Sequence, residues 1–455
     1  MSARFAFMLV LVPILLILTM RKPLFGLYAT IVMYYFRPDI WDQPSWWQPV
    51  FWLTLATIIS WGIRAKTIRM PGIMLCAIAV IPGMVLSSLT AFKSQDVSMA
   101  ATVVVIKLVI AMFLVVQLLR TMKDVLKFLW MNVIANLWTL KSVVLITATG
   151  GDASRANVAA AQGGGANYLA MTFVMALPLL YFRYLHGSPR EKKFAFWLSP
   201  FMLFGIMGTG SRGGFLTMFI IMVLMAIRSK QLVKGFSTIF VMVIFFYIVT
   251  PQAKLDRFMT TFETKTEKRG FAANSRLDLW KAGWQMFMSS PITGVGHDNY
   301  QLLSPRYTGY FAGKTPRPYR PELEGTKGYR GFVAHSTWFQ TLADGGMVSA
   351  VPFFGLFILC YFSLRRMRRL PLPPAEKKEA YLISQIYELT LLAFIIASTF
   401  GSHMKIDFLW WYFGGVAAFE IIVKKQMASW QHQQRATWMQ SRAQAAAASK
   451  AKATT

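Results

Sequence analysis

Apolar residues run along this chain in long blocks separated by short polar connectors. A helix needs about 20 mostly apolar residues to cross a hydrocarbon core of roughly 30 Å, so block length is the first guide to architecture. Runs near 5–20, 24–36, 48–63, 72–92, 100–118, 128–147, 167–183, 194–209, 213–227, 235–250, 346–363, 382–400 and 406–422 predict about 12 or 13 transmembrane helices and no sheet. The expected fold is an all-α polytopic membrane protein. Hydropathy leaves open whether the first two short runs are two spans, one broken span or a shallow hairpin.

A second pattern interrupts the first. Residues 251–345 form a connector far longer than any other, and part of it is periodic. In Asn274-Ser275-Arg276-Leu277-Asp278, Ser275 and Asp278 approximate a capping box. Leu277, Trp280, Trp284, Phe287 and Met288 then recur at helical spacing, predicting an amphipathic helix on the membrane surface with its tryptophans at the headgroups. Ser290-Pro291 ends it, and Gly294 and Gly296 mark a turn. A shorter helix is predicted from His335 to Asp344, stopped by Gly345-Gly346.

Composition agrees with a chain that needs lipid: 55% of residues are hydrophobic and only 15% charged. The formal charge of +29 would suggest nucleic acid in a soluble protein, but the excess sits in connectors, so no nucleic-acid partner is expected. Arg64 to Arg69, Arg120 to Lys127, Arg183 to Lys193, Arg228 to Lys234, Arg365 to Lys378 and the segment after Lys424 all fall on one side of an alternating topology. The positive-inside rule makes that side the cytoplasm and puts 37–47, 93–99, 148–166, 210–212, 251–345 and 401–405 outside. Phe5 to Met20 follows a basic start without a small-residue cleavage site and is read as a retained span. Four parts are therefore expected: an N-terminal bundle (1–250), a large outer loop (251–345), C-terminal spans (346–423) and a disordered basic cytoplasmic tail (424–455). Cys76 and Cys360 lie in apolar runs and read as core residues.

Candidate chemistry collects on the outer side. Arg212, in Gly210-Ser211-Arg212-Gly213-Gly214, sits where one span ends and the next begins; its guanidinium either forks onto phosphate oxygens or reaches for lipid headgroups. Arg276 opens the amphipathic helix, where backbone N–H groups also favour an anion; with Arg212 it forms a candidate diphosphate clamp, the alternative being a solvated face. His335 has the ordinary pKa of a general base, the alternative being a structural role. Lys107 lies deep in a span and is either functional or snorkelling. His403, Lys405 and Asp407 cluster at the outer end of the last span pair, either lining the same cavity or anchoring the interface. No paired outer acids stand at the spacing divalent ions favour, so neither a metal nor another cofactor is expected.

Taken together, Gly210-Ser211-Arg212, Ser275-Arg276 with Trp280, Pro291, Gly294 and Gly296, and Ala334-His335-Ser336 ending at Asp344-Gly345-Gly346 resemble the O-antigen ligase and polymerase superfamily. Asn167, after the glycines at 163–165, also looks like a family feature. Ser336 stands where the family often has Asn and Asp344 where it often has Glu, a pattern that resembles the ligase subgroup. The resemblance implies a GT-C-like helical fold in the bacterial inner membrane with a periplasmic active site. It implies inverting, metal-independent transfer of a glycan from undecaprenyl diphosphate to a hydroxyl of the lipid A core. By position, His335 would activate the hydroxyl and Arg212 and Arg276 would bind the diphosphate. A polymerase or a protein O-oligosaccharyltransferase would use the same parts. A lipid-linked glycan flippase is the alternative of another class, for which repeats and discontinuous helices would be expected.

Overall fold

The computed structural model describes residues 3–36, 47–149, 165–231, 244, 271–308 and 331–453. Among these the chain forms fourteen α-helices and no strand, as the block pattern predicts. They are α1 (Ala3–Arg21), α2 (Pro23–Phe36), α3 (Pro49–Arg64), α4 (Gly72–Leu89), α5 (Gln95–Leu118), α6 (Met122–Ala148), α7 (Gly165–His186), α8 (Pro189–Gly208), α9 (Arg212–Ser229), α10 (Phe271–Ser289), α11 (Asn299–Thr308), α12 (Thr337–Met367), α13 (Pro374–Ala397) and α14 (Asp407–Ala453). Seven of them, α4, α5, α6, α7, α9, α12 and α13, are long and apolar enough to cross a membrane, while α1, α2 and α3 are shorter apolar helices. The run at 194–209 falls in α8 and that at 406–422 in α14, whereas the run at 235–250 lies, apart from residue 244, outside the described residues. The first two runs are separate helices with a break at Lys22.

Helix starts follow from capping chemistry. Thr121 with Asp124 and Ser188 with Glu191 form reciprocal capping boxes for α6 and α8. Each satisfies backbone donors that the first turn leaves without partners. The core is a continuous apolar cluster, with α7 and α13 buried around most of their circumference. Trp410, Phe413 and Phe419 of α14 and Phe353 of α12 pack inside it.

The two ends of the bundle differ in kind. At one end the basic connectors converge: Arg228 and Arg368 both pair with the buried Glu388, and Arg183 with Glu379. At the other end the connector after α4 is tied to the turn before α11 and to α11 itself: Phe92 N–H donates to the Val295 carbonyl at 2.9 Å and Ser94 N–H to Asn299 Oδ1 at 2.8 Å. The starts of α7 and α9, helix α10 and the loop before α14 are held together there by the contacts described below. The connectors that carry Arg183, Arg228 and Arg368 thus share one end of the bundle.

The predicted stop at Gly345-Gly346 is a kink and not an end. Helix α12 continues to Met367, but Gly346 adopts φ 54° and ψ −162°, outside helical space. A kink strands backbone donors and acceptors in the interior, and buried backbone groups must be paired. The turn after α10 supplies the partners. Met347 N–H donates to the Pro291 carbonyl at 2.9 Å and Val348 N–H to Ile292 at 3.1 Å, while Val295 and Gly296 N–H donate to the carbonyls of Ala343 and Asp344, both at 2.9 Å. That is why the proline and two glycines stand there: Gly294 and Gly296 have φ of 69° and 101°. A Cβ on Gly294 would lie 2.5 Å from the Asp344 carbonyl oxygen. Gly346→Ala is expected to cost more than about 3 kcal/mol, since it adds backbone strain to a contact of 2.4 Å with the Ile292 carbonyl. Loss of the cooperative thermal transition in detergent would show this, and a Tm within a degree or two of the wild-type value would contradict it.

Two sequence expectations are corrected. Helix α10 begins at Phe271, so Arg276 lies in its second turn and not at its open N-terminus; Ala272 and Ala273, good helix formers, carry it back past the Ser275 cap. The tail expected to be disordered continues α14 as helix to Ala453. Its Ala, Gln, Lys and Arg are strong helix formers, and propagation from a helix already nucleated in the bundle avoids the nucleation cost.

Candidate active site

Helix α10 divides its stripe between two environments. Leu279, Ala282 and Met286 are buried, whereas Leu277, Trp284 and Met288 are exposed on an apolar outer face suited to a membrane surface. Trp280, expected at the headgroups, instead stacks on Phe339 of α12 at 5.5 Å between ring centroids, and its buried indole N–H has no partner. That contact docks α10 against the start of α12 and brings Arg276 to His335.

Arg276 is half-buried, with its guanidinium 5.9 Å from the centre of the Phe400 ring. Phe400 also meets Gly213, next to Arg212: a Cβ on Gly213 would come within 2.8 Å of the Phe400 Cβ. Phe400 is therefore the spacer between the two arginine segments. Asn167 fixes this arrangement. It donates from Nδ2 to the Phe400 carbonyl at 2.8 Å and accepts at Oδ1 from the Ser211 hydroxyl at 2.7 Å, while Ser211 Oγ accepts the Gly214 N–H at 2.9 Å and so caps α9. One amide side chain thus ties the starts of α7 and α9 to the loop before α14. The arginines feel each other: burial first, and then the Arg212 charge, lowers the pKa of Arg276. Two guanidiniums held near one another in a partly desolvated place make a site that an anion relieves.

His335 is half-buried immediately before α12 and has φ 49°, a left-handed conformation unusual for a non-glycine residue. Such strain persists where surroundings impose it and concentrates at functional sites. The surroundings are visible: Thr337 N–H donates to the Ser398 carbonyl at 2.9 Å and the Thr337 hydroxyl to the Gly401 carbonyl at 2.8 Å. The His403 N–H in turn donates to Thr337 Oγ1 at 2.8 Å. The loop before α14 thereby clamps the start of α12. Burial first, and then the Arg276 charge, lowers the pKa of His335 below the ordinary histidine value. Its imidazole is consequently neutral and able to accept a proton at neutral pH.

The remaining candidates divide. His403 is buried and its pKa is pushed down to about 3, first by burial and then by His335. Lys405 is exposed and ion-paired with Asp298. Both line a cavity with His297, Gln340, Thr341 and Asp344. Asp407 begins α14. Lys107 is exposed on the flank of α5 and does not line that cavity. Gly294 to His297 closes over the α12 kink and is no phosphate loop. Phe400, Thr337 and Gln340 escaped the sequence reading because an isolated aromatic or small polar residue carries no spacing signal. The only hint was the polar cluster beginning at His403.

A family comparison now bears on this geometry. Residues 197–354 match the family model described as O-Antigen ligase. The matched segment is about a third of the chain and contains Arg212, Arg276, His335 and Asp344. Its similarity to O-antigen ligases supports glycosyl transfer of the ligase and polymerase superfamily by a multi-pass membrane protein. Asn167, Phe400, His403 and Lys405, which hold or border the ligase-like residues, lie outside the match. No curated protein matches the chain.

Proposed function

We propose that this protein is an inner-membrane glycosyltransferase that moves an O-antigen or related glycan from undecaprenyl diphosphate to a hydroxyl of the lipid A core on the periplasmic side. The observation that carries the reading is the convergence of Arg212, Arg276 and a neutral, strained His335 at the end of the bundle opposite the basic connectors. The two guanidiniums hold the diphosphate, whose charge of about −2 they match. The acceptor oxygen attacks the anomeric carbon, its proton passes to His335, and the bond from the anomeric carbon to the diphosphate oxygen breaks. The electron pair leaves with the lipid diphosphate, where the arginines stabilise it. A single displacement inverts the anomeric centre. No metal or other cofactor has a role in this scheme.

Mass analysis of surface glycolipid from a deletion strain tests the acceptor. Lipid A core without polymer is the expected result. Single-repeat caps on the core would identify a polymerase, and loss of glycan from protein alone an O-oligosaccharyltransferase. Unchanged glycans on both would overturn the proposal.

The pH dependence follows from the environment of His335. Its pKa is lowered in the free protein, so the neutral form persists to lower pH, and the acid limb of kcat/KM is expected below pH 6.5, with activity falling as pH drops through it. Bound diphosphate offsets the Arg276 charge, so the acid limb of kcat, which reports the complex, is expected at higher pH than that of kcat/KM. Paired profiles in the opposite order would count against the arrangement. His403 and His297, with pKa values pushed down to about 3 and about 4, remain neutral across this range and do not obscure it.

A further inference from the structure

The end of the bundle where the basic connectors meet holds two ion-pair clusters of opposite balance. In one, Arg183 faces two carboxylates, Glu379 and Glu191. In the other, the last turn of α9 and the end of α12 bring Arg228 and Arg368 to a single carboxylate, Glu388 of α13, each arginine pairing with one oxygen. Arg228 also donates to Gln385 Oε1 at 3.4 Å. Glu388 is buried, so its charge is used inside the cluster, whereas the Arg228 and Arg368 side chains remain 23% and 17% exposed.

A third arginine adds charge without adding an acid. Arg365 is exposed near the end of α12, with its guanidinium 5.1 Å from the centre of the Tyr361 ring, and among the described residues it has no carboxylate partner. Arg368 lies over the Tyr381 ring at 5.9 Å. Three cations against one carboxylate leave the cluster with a charge of +2. The cations bear on one another: burial first and then the Arg228 charge, with Arg365 adding to it, pull the pKa of Arg368 down to about 10. An anion seated among them relieves that repulsion.

The surroundings specify the anion. Guanidinium forks match phosphate oxygens, and the Tyr361 and Tyr381 rings orient two of the forks before a ligand arrives. Ile358, Tyr361 and Phe362 precede Arg365 by seven, four and three positions, so they share its helix face, and all three are exposed. Ile227, beside Arg228, is exposed too. A free phosphate would use the arginines alone. A phosphate that carries an apolar chain uses the arginines and the apolar stripe together.

We infer that Arg228, Arg365 and Arg368 bind the phosphate headgroup of an anionic phospholipid, whose acyl chain lies along Ile358, Tyr361 and Phe362. The site stands apart from Arg212, Arg276 and His335 and does not depend on the glycosyltransferase reading. By bridging the ends of α9, α12 and α13, the lipid stabilises the folded bundle through linkage.

The test uses full-length protein in detergent micelles, equilibrated with dioleoylphosphatidylglycerol or with dioleoylphosphatidylcholine, the bound lipid being counted by native mass spectrometry. Phosphatidylglycerol is expected to bind about tenfold more tightly than phosphatidylcholine and to raise the Tm. Arg365→Gln leaves both Glu388 pairs in place, so it should fold. It is expected to weaken phosphatidylglycerol binding about fivefold, the scale of one basic residue at an anionic membrane surface, and to leave phosphatidylcholine unchanged. Arg190→Gln is the control: it removes an exposed arginine from the start of α8, at the same end but outside the cluster, and should bind both lipids as wild type does. Equal binding of the two lipids by wild type would overturn the inference. So would an equal loss in Arg365→Gln and Arg190→Gln, which would show diffuse attraction and no site. If millimolar inorganic phosphate raised the Tm as much as phosphatidylglycerol, the apolar stripe would have no part and the ligand would be a free anion, against the proposal.

Discussion

His335→Gln is expected to lower glycan transfer by on the order of a hundredfold or more, the usual scale for a lost general base, while binding of undecaprenyl diphosphate stays near native. Glutamine can still hydrogen-bond an acceptor hydroxyl but cannot take its proton at neutral pH, so the variant separates positioning from proton transfer. His335→Ala should lose as much. The left-handed backbone at position 335 adds a control: Asn tolerates φ near 50° better than most residues, so His335→Asn relieves strain while removing the base. It should fold at least as well as wild type and remain inactive. Single-turnover transfer and donor binding measured on one preparation decide the matter, and near-native transfer by His335→Gln would end the general-base assignment.

Arg276→Lys and Arg212→Lys are each expected to reduce both donor binding and transfer by about tenfold or more, although the charge is kept. The ammonium is a point charge without the planar fork that meets two phosphate oxygens at once. For Arg276 a second loss adds to this. Its guanidinium lies over the Phe400 ring, and that ring is seated against Gly213 and held by Asn167, so the fork is oriented before any donor arrives. Lysine keeps a weaker cation–π contact but gives up the orientation. Because the diphosphate carries more charge on departure than in the donor, kcat should fall along with affinity. A lysine variant that raised the donor KM alone would show that the arginine serves uniform binding and not the departing charge.

Asn167 illustrates how little of such support is written in sequence. The resemblance to the ligase and polymerase superfamily marks it, after the glycines at 163–165, but not what it does: its amide joins Ser211 to the carbonyl of Phe400, partners 44 and 233 residues away. No periodicity or spacing encodes a pairing at that separation, because its geometry exists only once α7, α9 and the loop before α14 have packed. The same applies to Trp280, whose place in the helical stripe suggested a headgroup anchor until Phe339 took it inward.

What the chain determines by itself is whatever local physics decides. Apolar block length sets the helices, because an unpaired backbone in lipid is too costly. Thr121, Ser188 and Ser211 set helix starts through caps within a few residues. The order of Arg212, Arg276 and His335 along the chain was legible too. Tertiary structure alone decided that Gly346 bends α12 instead of ending it, since only the turn at Pro291 to Gly296 can pair the backbone groups the bend sets free. It also decided that His403, Gln340 and Ser402 border one cavity. Burial, and therefore the state of His335, depends on which helices meet, and hydropathy along one helix does not contain that information.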